Sequence, residues 1–234
     1  MPRFPLHRRL RSRRLAALRD ALAARFKTFV SQRSFPCVGA KSALNRDRLQ
    51  FGLFKSLGDR GSAAELVEQL AGFSSLHAHP GVDAVSFVAM FRQPVANEDA
   101  FHGALWSHLQ AMHDIDVRTH PWDPSVSADP ANDNFSFSCA SRAFFVVGLH
   151  PQASRMARRA PFPCLVFNFH DQFEALRAQG RYDKLQDAIR ERDIALQGSI
   201  NPILARFGEG SEAAQYSGHA GLAGAGCPFH ARAA

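Results

Sequence analysis

The most informative group of chemically active side chains follows an apolar segment in the middle of the chain. His150 comes directly after the apolar run 144–149, and Arg155, Arg158 and Arg159 follow within nine residues. A neutral imidazole binds a metal or haem iron through one nitrogen, and guanidinium groups pair with carboxylates through two hydrogen bonds. The spacing therefore predicts either an iron centre with two porphyrin propionates held by the arginines, or a turn with solvated arginines.

A second candidate iron ligand lies on the helix predicted between Asn97 and Asp114. His102, Trp106 and His113 share one face of that helix. A two-histidine metal face needs a spacing of four residues, which these histidines do not have. His113 therefore remains either an alternate ligand or a helix-end histidine favoured by the negative end of the helix dipole.

Several common kinds of site are not supported by the sequence. The four cysteines, Cys37, Cys139, Cys164 and Cys227, are far apart, which argues against a structural zinc site and a disulfide framework. Free cysteines favour a reducing, cytoplasmic location. The chain has no dinucleotide-binding glycine motif, phosphate loop, nucleophile elbow or His-Glu-x-x-His motif. A nucleotide-dependent enzyme or a simple hydrolase is therefore not indicated.

The positive charge belongs to the beginning of the chain. The formal net charge is +7, but residues 1–33 contain ten Lys or Arg and only Asp20 as an acid, so the remainder has a net charge of −2. We expect this arm to form a basic amphipathic helix, capped by Ser12, whose apolar stripe packs on the body. A mitochondrial transit peptide has the same composition and is the alternative. A nucleic-acid surface is not expected, because the basic residues are not spread over a folded face.

The alternation of short apolar runs and helical patterns predicts a single α+β domain. Strands are predicted at residues 49–57, 84–91, 135–139, 143–149 and 163–169, and helices at 97–114, 171–178 and 182–196, with a further helix starting at a capping box of Ser62 and Glu65. We expect a mixed or antiparallel sheet flanked by helices over residues 34–216. The arm of residues 1–33 precedes this domain, and a mobile Gly/Ala-rich tail of residues 217–234 follows it.

Longer segments of the chain resemble the YqcI/YcgG family. They are FSFSCASRAFFVVGLHPQASRMARR, LVFNFHDQFEALRAQGRY, IRERDIALQGSINPIL, SEAAQYSG and CPF, preceded by FPCVGAKSAL and LWSHLQAMHDID. The resemblance spans residues 30–230 and is greatest to the branch named for the guanitoxin-pathway N-hydroxylase. The chain departs from the family pattern at Phe169, where proline is expected, and at Ala214, where arginine is expected.

The resemblance implies a haem-dependent N-oxygenase that hydroxylates a guanidino or amino nitrogen of arginine or a similar molecule, with O2 or peroxide as oxidant. Protohaem would bind in a Phe-lined pocket through His150, with His113 as the alternate ligand. The implied roles are haem contacts for Arg155, Arg158, Arg159, Phe145 and Cys37, distal or catalytic roles for Asn201 and Tyr216, and a carboxylate facing the substrate from Asp116, Glu174 or Glu212.

The alternative function is a non-enzymatic haem carrier or sensor built on the same pocket. A module that acts through its basic arm is a third hypothesis, in which the function would depend on residues 1–30. The enzyme hypothesis requires a small guanidino or amino substrate and an electron donor or peroxide as partners. It requires no nucleic acid and no membrane span, and the apolar residues of the arm leave room for a homodimer.

Overall fold

A computed structural model describes residues 5–78, 84–203, 210–219 and 227–232. Its centre is a five-stranded sheet in the order β1-β2-β5-β4-β3. The strands are β1 (Leu49–Phe54), β2 (Ser86–Phe91), β3 (Phe137–Cys139), β4 (Arg142–Leu149) and β5 (Cys164–Phe169). Strands β1 and β2 are parallel and the other neighbours are antiparallel, so the sheet is mixed. The predicted α+β fold is confirmed.

Helices cover both faces of the sheet. They are α1 (Pro5–Ser31), α2 (Val38–Asn45), α3 (Arg60–Leu76), α4 (Glu98–Asp116), α5 (His170–Ala178), α6 (Tyr182–Gln197) and α7 (Ala213–Tyr216), with a 3₁₀ turn at Met156–Arg158. Side chains alternate along each strand, so Phe87 and Phe91 of β2 join the large core beneath α3 and α4. Val88 and Met90 join the smaller core beneath α1 on the opposite face.

A tight hairpin joins β3 and β4, as the sequence predicts. Ala140 and Ser141 both have positive φ angles, of 53° and 57°, which is the backbone of the two-residue turns that match strand twist. The carboxylate of Asp116 accepts a hydrogen bond from the Ala140 N–H at 2.9 Å. The end of α4 thereby fixes the hairpin, which in turn fixes β4 in the sheet.

Two predicted helix starts are wrong. Helix α1 begins at Pro5 and continues past Ser12, so Ser12 does not cap it. Helix α3 begins at Arg60, and its cap is Asp59, whose carboxylate accepts hydrogen bonds from the N–H and hydroxyl of Ser62. The Asp59 carboxylate takes the Ser62 N–H that Glu65 would accept in the predicted capping box, and the helix therefore begins at Arg60.

The two chain ends also differ from expectation. Only the second half of α1 packs on the body, with Phe26 at 3% exposure, whereas Leu15 and Leu18 are 36% and 40% exposed. The predicted tail contains a packed segment, because Phe229 is 1% exposed among aromatic rings. Residues 220–226 of that tail lie outside the described part of the chain.

None of the helices in the described ranges is both long enough and apolar enough to cross a membrane.

Candidate functional site

A cavity of about 320 Å³ lies between the sheet and the helices on the α1 side. Its floor consists of the side chains of β4 and β5 that point away from α4, including Phe145, Val147 and Val166. Phe26 of α1 closes one side. The volume falls within the ~300–1,000 Å³ of small-molecule pockets, and the apolar floor with polar groups at the sides is the usual composition of such pockets.

One face of α6 forms the polar side of the cavity. Residues spaced three or four apart along the helix all line it: Tyr182, Leu185, Gln186, Ile189, Arg190 and Asp193. This spacing places them on one stripe of the helix. The stripe therefore brings both polar and apolar side chains of α6 to the cavity wall.

Asp193 and Arg155 form a buried ion pair at the end of this stripe. The Nη2 atom of Arg155 lies 2.5 Å from Oδ2 of Asp193, and the two side chains are 6% and 5% exposed. The backbone N–H of Asn201 donates to the same carboxylate oxygen at 3.1 Å. Oδ1 of Asp193 is buried without a hydrogen-bond partner among the described residues. A residue that lines the cavity therefore has a fixed carboxylate, one oxygen of which is buried without a partner in the described part of the chain.

The other two arginines predicted to hold propionates are used by the protein itself. Arg158 donates to the carbonyl oxygens of Gly148, Gln215 and Tyr216, at 3.1, 2.7 and 3.1 Å, and so ties β4 to α7. Burial lowers the pKa of Arg158 to about 10. Arg159 donates to the carbonyls of the preceding loop. Arg158 borders the cavity, whereas Arg159 is not among its lining residues.

His150 lies on the opposite side of the sheet from the cavity. The alternation along β4 turns Phe145, Val147 and Leu149 toward the cavity and places His150 against α4, where its ring stacks on Phe101 with centroids 4.1 Å apart. Both ring nitrogens are buried without a partner among the described residues, and burial lowers the pKa of His150 to about 4. The predicted grouping of His150 with the arginines around one cofactor is therefore not what the structure shows.

His113 is likewise away from the cavity. Its Nε2 accepts a hydrogen bond from the Arg232 N–H at 2.8 Å, and its ring lies between Trp122 and Phe229. Burial lowers its pKa. The imidazole thus holds the C-terminal segment rather than facing open space.

Glu212 is a cavity carboxyl held by two hydroxyl groups. Its Oε1 accepts from Ser136 Oγ at 2.7 Å and from Tyr216 Oη at 2.6 Å. Tyr216 is fully buried, is not among the lining residues, and accepts from the Phe137 N–H at 2.9 Å. Burial raises the pKa of Glu212 to about 7, although the two hydrogen bonds and the nearby charge of Arg177 lower it. Tyr216, predicted as a distal residue, instead positions Glu212.

The two other predicted carboxylates have structural partners. Asp116 accepts from the hairpin and pairs with His120 at 2.8 Å, well away from the cavity. Glu174 is on the first helix after β5, where it pairs with Arg177 and lies 3.2 Å from Nε2 of His170. Of the three candidates, only Glu212 lines the cavity.

The cavity also contains an imidazole that the sequence analysis did not select. His170 is the first residue of α5, directly after β5, and is 5% exposed. Burial lowers its pKa, and the carboxylate of Glu174 acts in the opposite direction. The sequence feature that could have identified His170 is its position at the end of a strand. It lies in the segment where the family pattern expects Asn-Pro-His, and Phe169 stands in place of the proline.

Six of the predicted site residues line this one cavity: Cys37, Phe145, Arg155, Arg158, Asn201 and Glu212. Cys37 also caps α2, since its Sγ accepts from the Ala40 N–H at 3.4 Å, and burial raises the pKa of its thiol. His113, His150, Arg159 and Tyr216 lie outside the lining. Sequence reasoning missed His170 and the polar stripe of α6.

The chain is similar to proteins of one known family. The Uncharacterized protein YcgG of Bacillus subtilis (strain 168) is 25% identical over 183 residues, which cover 75% of this chain and 71% of that protein. No solved structure matches the chain significantly. The family model described as YqcI/YcgG family matches residues 26–230, which include every lining residue of the cavity. The chain therefore belongs to the YqcI/YcgG family.

Proposed function

We propose that this protein is a haem-dependent N-oxygenase that hydroxylates a guanidino or amino nitrogen of arginine or an arginine-like small molecule. The observation that carries this proposal is a cavity that combines an apolar floor, a buried imidazole, guanidinium groups and three carboxyl groups. The expectation of a haem and of this reaction class comes from the resemblance described above. The cavity supplies the residue types that such a cofactor and such a substrate require.

The residues of the cavity fit a haem with His170 in the place first predicted for His150. The carboxylate of Glu174 lies 3.2 Å from one nitrogen of His170, and iron-binding histidines are commonly oriented through their second nitrogen in this way. The floor of Phe145, Val147 and Val166 offers the apolar surface that a porphyrin needs, and Arg190 lines the same space. No cluster of three or more ligating side chains occurs in the described ranges, and a haem needs only one protein ligand.

The acceptor groups of residues that line the cavity fit a cationic substrate. Oδ1 of Asp193 and Oε1 of Gln186 are both buried without hydrogen-bond partners among the described residues, and Glu212 contributes a third acceptor group. Guanidinium groups present several N–H donors in one plane and pair with carboxylates of this kind. We assign Asp193, Gln186 and Glu212 to substrate binding, with Arg155 and Asn201 fixing the orientation of Asp193.

Bound haem would supply the activation of the oxidant and the transfer of one oxygen atom to nitrogen. With peroxide, an N–H bond becomes N–OH and the second oxygen leaves as water, so no reductant is consumed. With O2, the same product requires two electrons and two protons from a donor protein or cofactor. The residues of this chain hold the substrate nitrogen in place and exclude water through the apolar floor, while Glu212 exchanges a proton.

The proposal is tested by the absorption spectrum of protein purified from cells supplied with iron and a haem precursor. We expect a Soret band in the wild type and in His150→Ala, its loss in His170→Gly, and its return when imidazole is added to that variant. A colourless protein that also fails to take up haemin would refute the haem site. A band lost only in His150→Ala would refute His170 as the ligand.

The reaction is tested on the loaded protein with L-arginine and isotopically labelled peroxide. We expect N-hydroxyarginine that carries the label, and much less of it in Asp193→Asn. A ferrous protein that does not bind CO and forms no product would instead support a haem carrier or sensor. We also propose a cytoplasmic location, which the four free cysteines favour.

A further inference from the structure

Two of the three carboxyl groups that line the cavity, those of Asp193 and Glu212, have opposite electrostatic environments, and the third belongs to the exposed Asp133. Asp193 is paired with Arg155, which holds a charge opposite its own. Glu212 has two hydroxyl donors, and no described Lys, Arg or His lies within ion-pair distance of it. Pairs of acids with such different surroundings commonly divide into one ionised and one protonated group.

Among the described residues, the groups that act on the pKa of Glu212 are Arg177, Ser136 and Tyr216. Arg177 of α5 lowers its pKa from a distance, while its own guanidinium pairs with Glu174 and lies over the ring of Tyr182, 4.5 Å from the centroid. Tyr216 of α7 donates its hydroxyl hydrogen. Burial is the dominant influence on the pKa of Glu212.

We propose that Glu212 carries a proton in the ligand-free cavity and releases it when a cationic ligand binds, with Ser136 and Tyr216 as the residues that position its carboxyl group. The inference rests on the proposed function insofar as the ligand is a guanidinium compound. The proton leaves the carboxyl oxygen for solvent, and the resulting carboxylate compensates the charge of the ligand.

The geometry explains why the hydroxyl groups serve this exchange. Both hydroxyl groups donate to Oε1, at 2.7 and 2.6 Å, and the only other acceptor of the single Tyr216 hydroxyl hydrogen among the described residues is the Phe144 carbonyl oxygen at 3.2 Å. The carboxyl group can therefore keep its position while Oε2 gains or loses the proton. Tyr216 is held on its other side by the Phe137 N–H and by the ring of Trp106, which it stacks at 5.7 Å. Within the described part of the chain, the carboxyl group is thus fixed by hydrogen bonds and not by an ion pair, which is an arrangement that permits its charge to change on binding.

The first test measures the carboxyl group directly in ligand-free protein. The infrared band of a protonated carboxyl should appear below pH 7 in the wild type and in the control Glu191→Gln, which removes an exposed acid of α6, and should be absent from Glu212→Gln. Ser136→Ala should move the midpoint to higher pH, because a donor that lowers the pKa of Glu212 is lost. The absence of the band at pH 6, or an unmoved midpoint, would overturn the proposal.

The second test follows proton release by calorimetric titration of L-arginine in buffers of different ionisation enthalpy. From a pKa of about 7, we expect about three quarters of a proton released at pH 6.5 and affinity about tenfold weaker at pH 6 than at pH 8. In Glu212→Gln both effects should vanish, and in Glu191→Gln both should persist. L-citrulline, an analogue whose side chain is uncharged, should release no proton.

The two proposals fail in different ways. Proton-linked binding by a protein that never takes up haemin would refute the haem enzyme and leave the present inference intact. Haem uptake together with arginine binding that releases no proton at pH 6.5 would overturn the present inference and leave the enzyme intact. If arginine does not bind, the infrared titration of the Glu212 carboxyl group alone decides whether the present inference holds.

Discussion

Breaking the Arg155–Asp193 ion pair should strongly destabilise the protein. Asp193→Asn removes the negative charge opposite a guanidinium that is only 6% exposed, while keeping the size of the side chain. Removing one partner of a buried pair typically costs about 3–5 kcal/mol, because the remaining charge stays buried without compensation. Arg155 also donates to the hydroxyl and carbonyl of Ser199, at 3.0 and 2.6 Å, so part of its environment survives the change. We therefore expect a loss of about 3 kcal/mol, the lower end of that range.

The matched control is Asp47→Asn, the same substitution in an exposed pair. Lys27 and Asp47 lie 3.2 Å apart and are 41% and 88% exposed, so their contribution should be below about 1 kcal/mol. The assay is urea unfolding at pH 7.5, with the free energy of unfolding taken from midpoint and slope. The double variant Arg155→Met, Asp193→Leu should recover part of the loss, because no charge remains buried.

A loss in Asp193→Asn no larger than in Asp47→Asn would refute this reasoning. Losses of Arg155→Met and Asp193→Leu that simply add in the double variant would also refute it, because directly interacting residues should show non-additive effects.

Three further predictions concern the sheet, α4 and the tail. His108 is fully buried, and burial lowers its pKa to about 4. The free energy of unfolding should therefore fall by about 3 kcal/mol as the pH falls from 6.5 toward 4. His108→Gln should flatten this dependence in unfolding measured from pH 4 to 7. Gly148→Ala places a methyl group 2.7 Å from a ring of α4 and should lower the free energy of unfolding by about 1–3 kcal/mol. Gly103→Ala has open space around the new methyl group and should be neutral or stabilising. Equal melting temperatures of the two variants would contradict this. Phe229→Ala should cost about 3–5 kcal/mol in the same unfolding assay, and a loss below 1 kcal/mol would show that the tail does not complete the core.

The arrangement of elements was largely predictable, because each depends on local pattern. The alternating and apolar runs mark all five strands to within a few residues, and the Asn97 cap is confirmed by the hydrogen bond from the Ala100 N–H at 2.8 Å. Helix starts were less predictable. The choice between Asp59 and Ser62 depends on which side chain the folded backbone brings to the free N–H groups.

The candidate site was only partly predictable, because proximity in sequence does not determine which face of a sheet a residue occupies. His150 and Arg155 are five residues apart, yet the alternation of β4 turns the imidazole toward Phe101, while Arg155 reaches α6 on the other side. Conversely, His170 and Glu212 are far apart in sequence and line one cavity.

By itself, the sequence determines the fold class, the strands and most helices, since these follow from hydrophobic periodicity and turn chemistry within short windows. It also contains the family segments and most of the side chains of the cavity. Only the tertiary structure decides which imidazole joins those side chains, which arginines are used by backbone carbonyls, and which carboxyl group is held by hydroxyl donors. These properties depend on burial and on partners distant in sequence, because desolvation and hydrogen bonding act between neighbours in space.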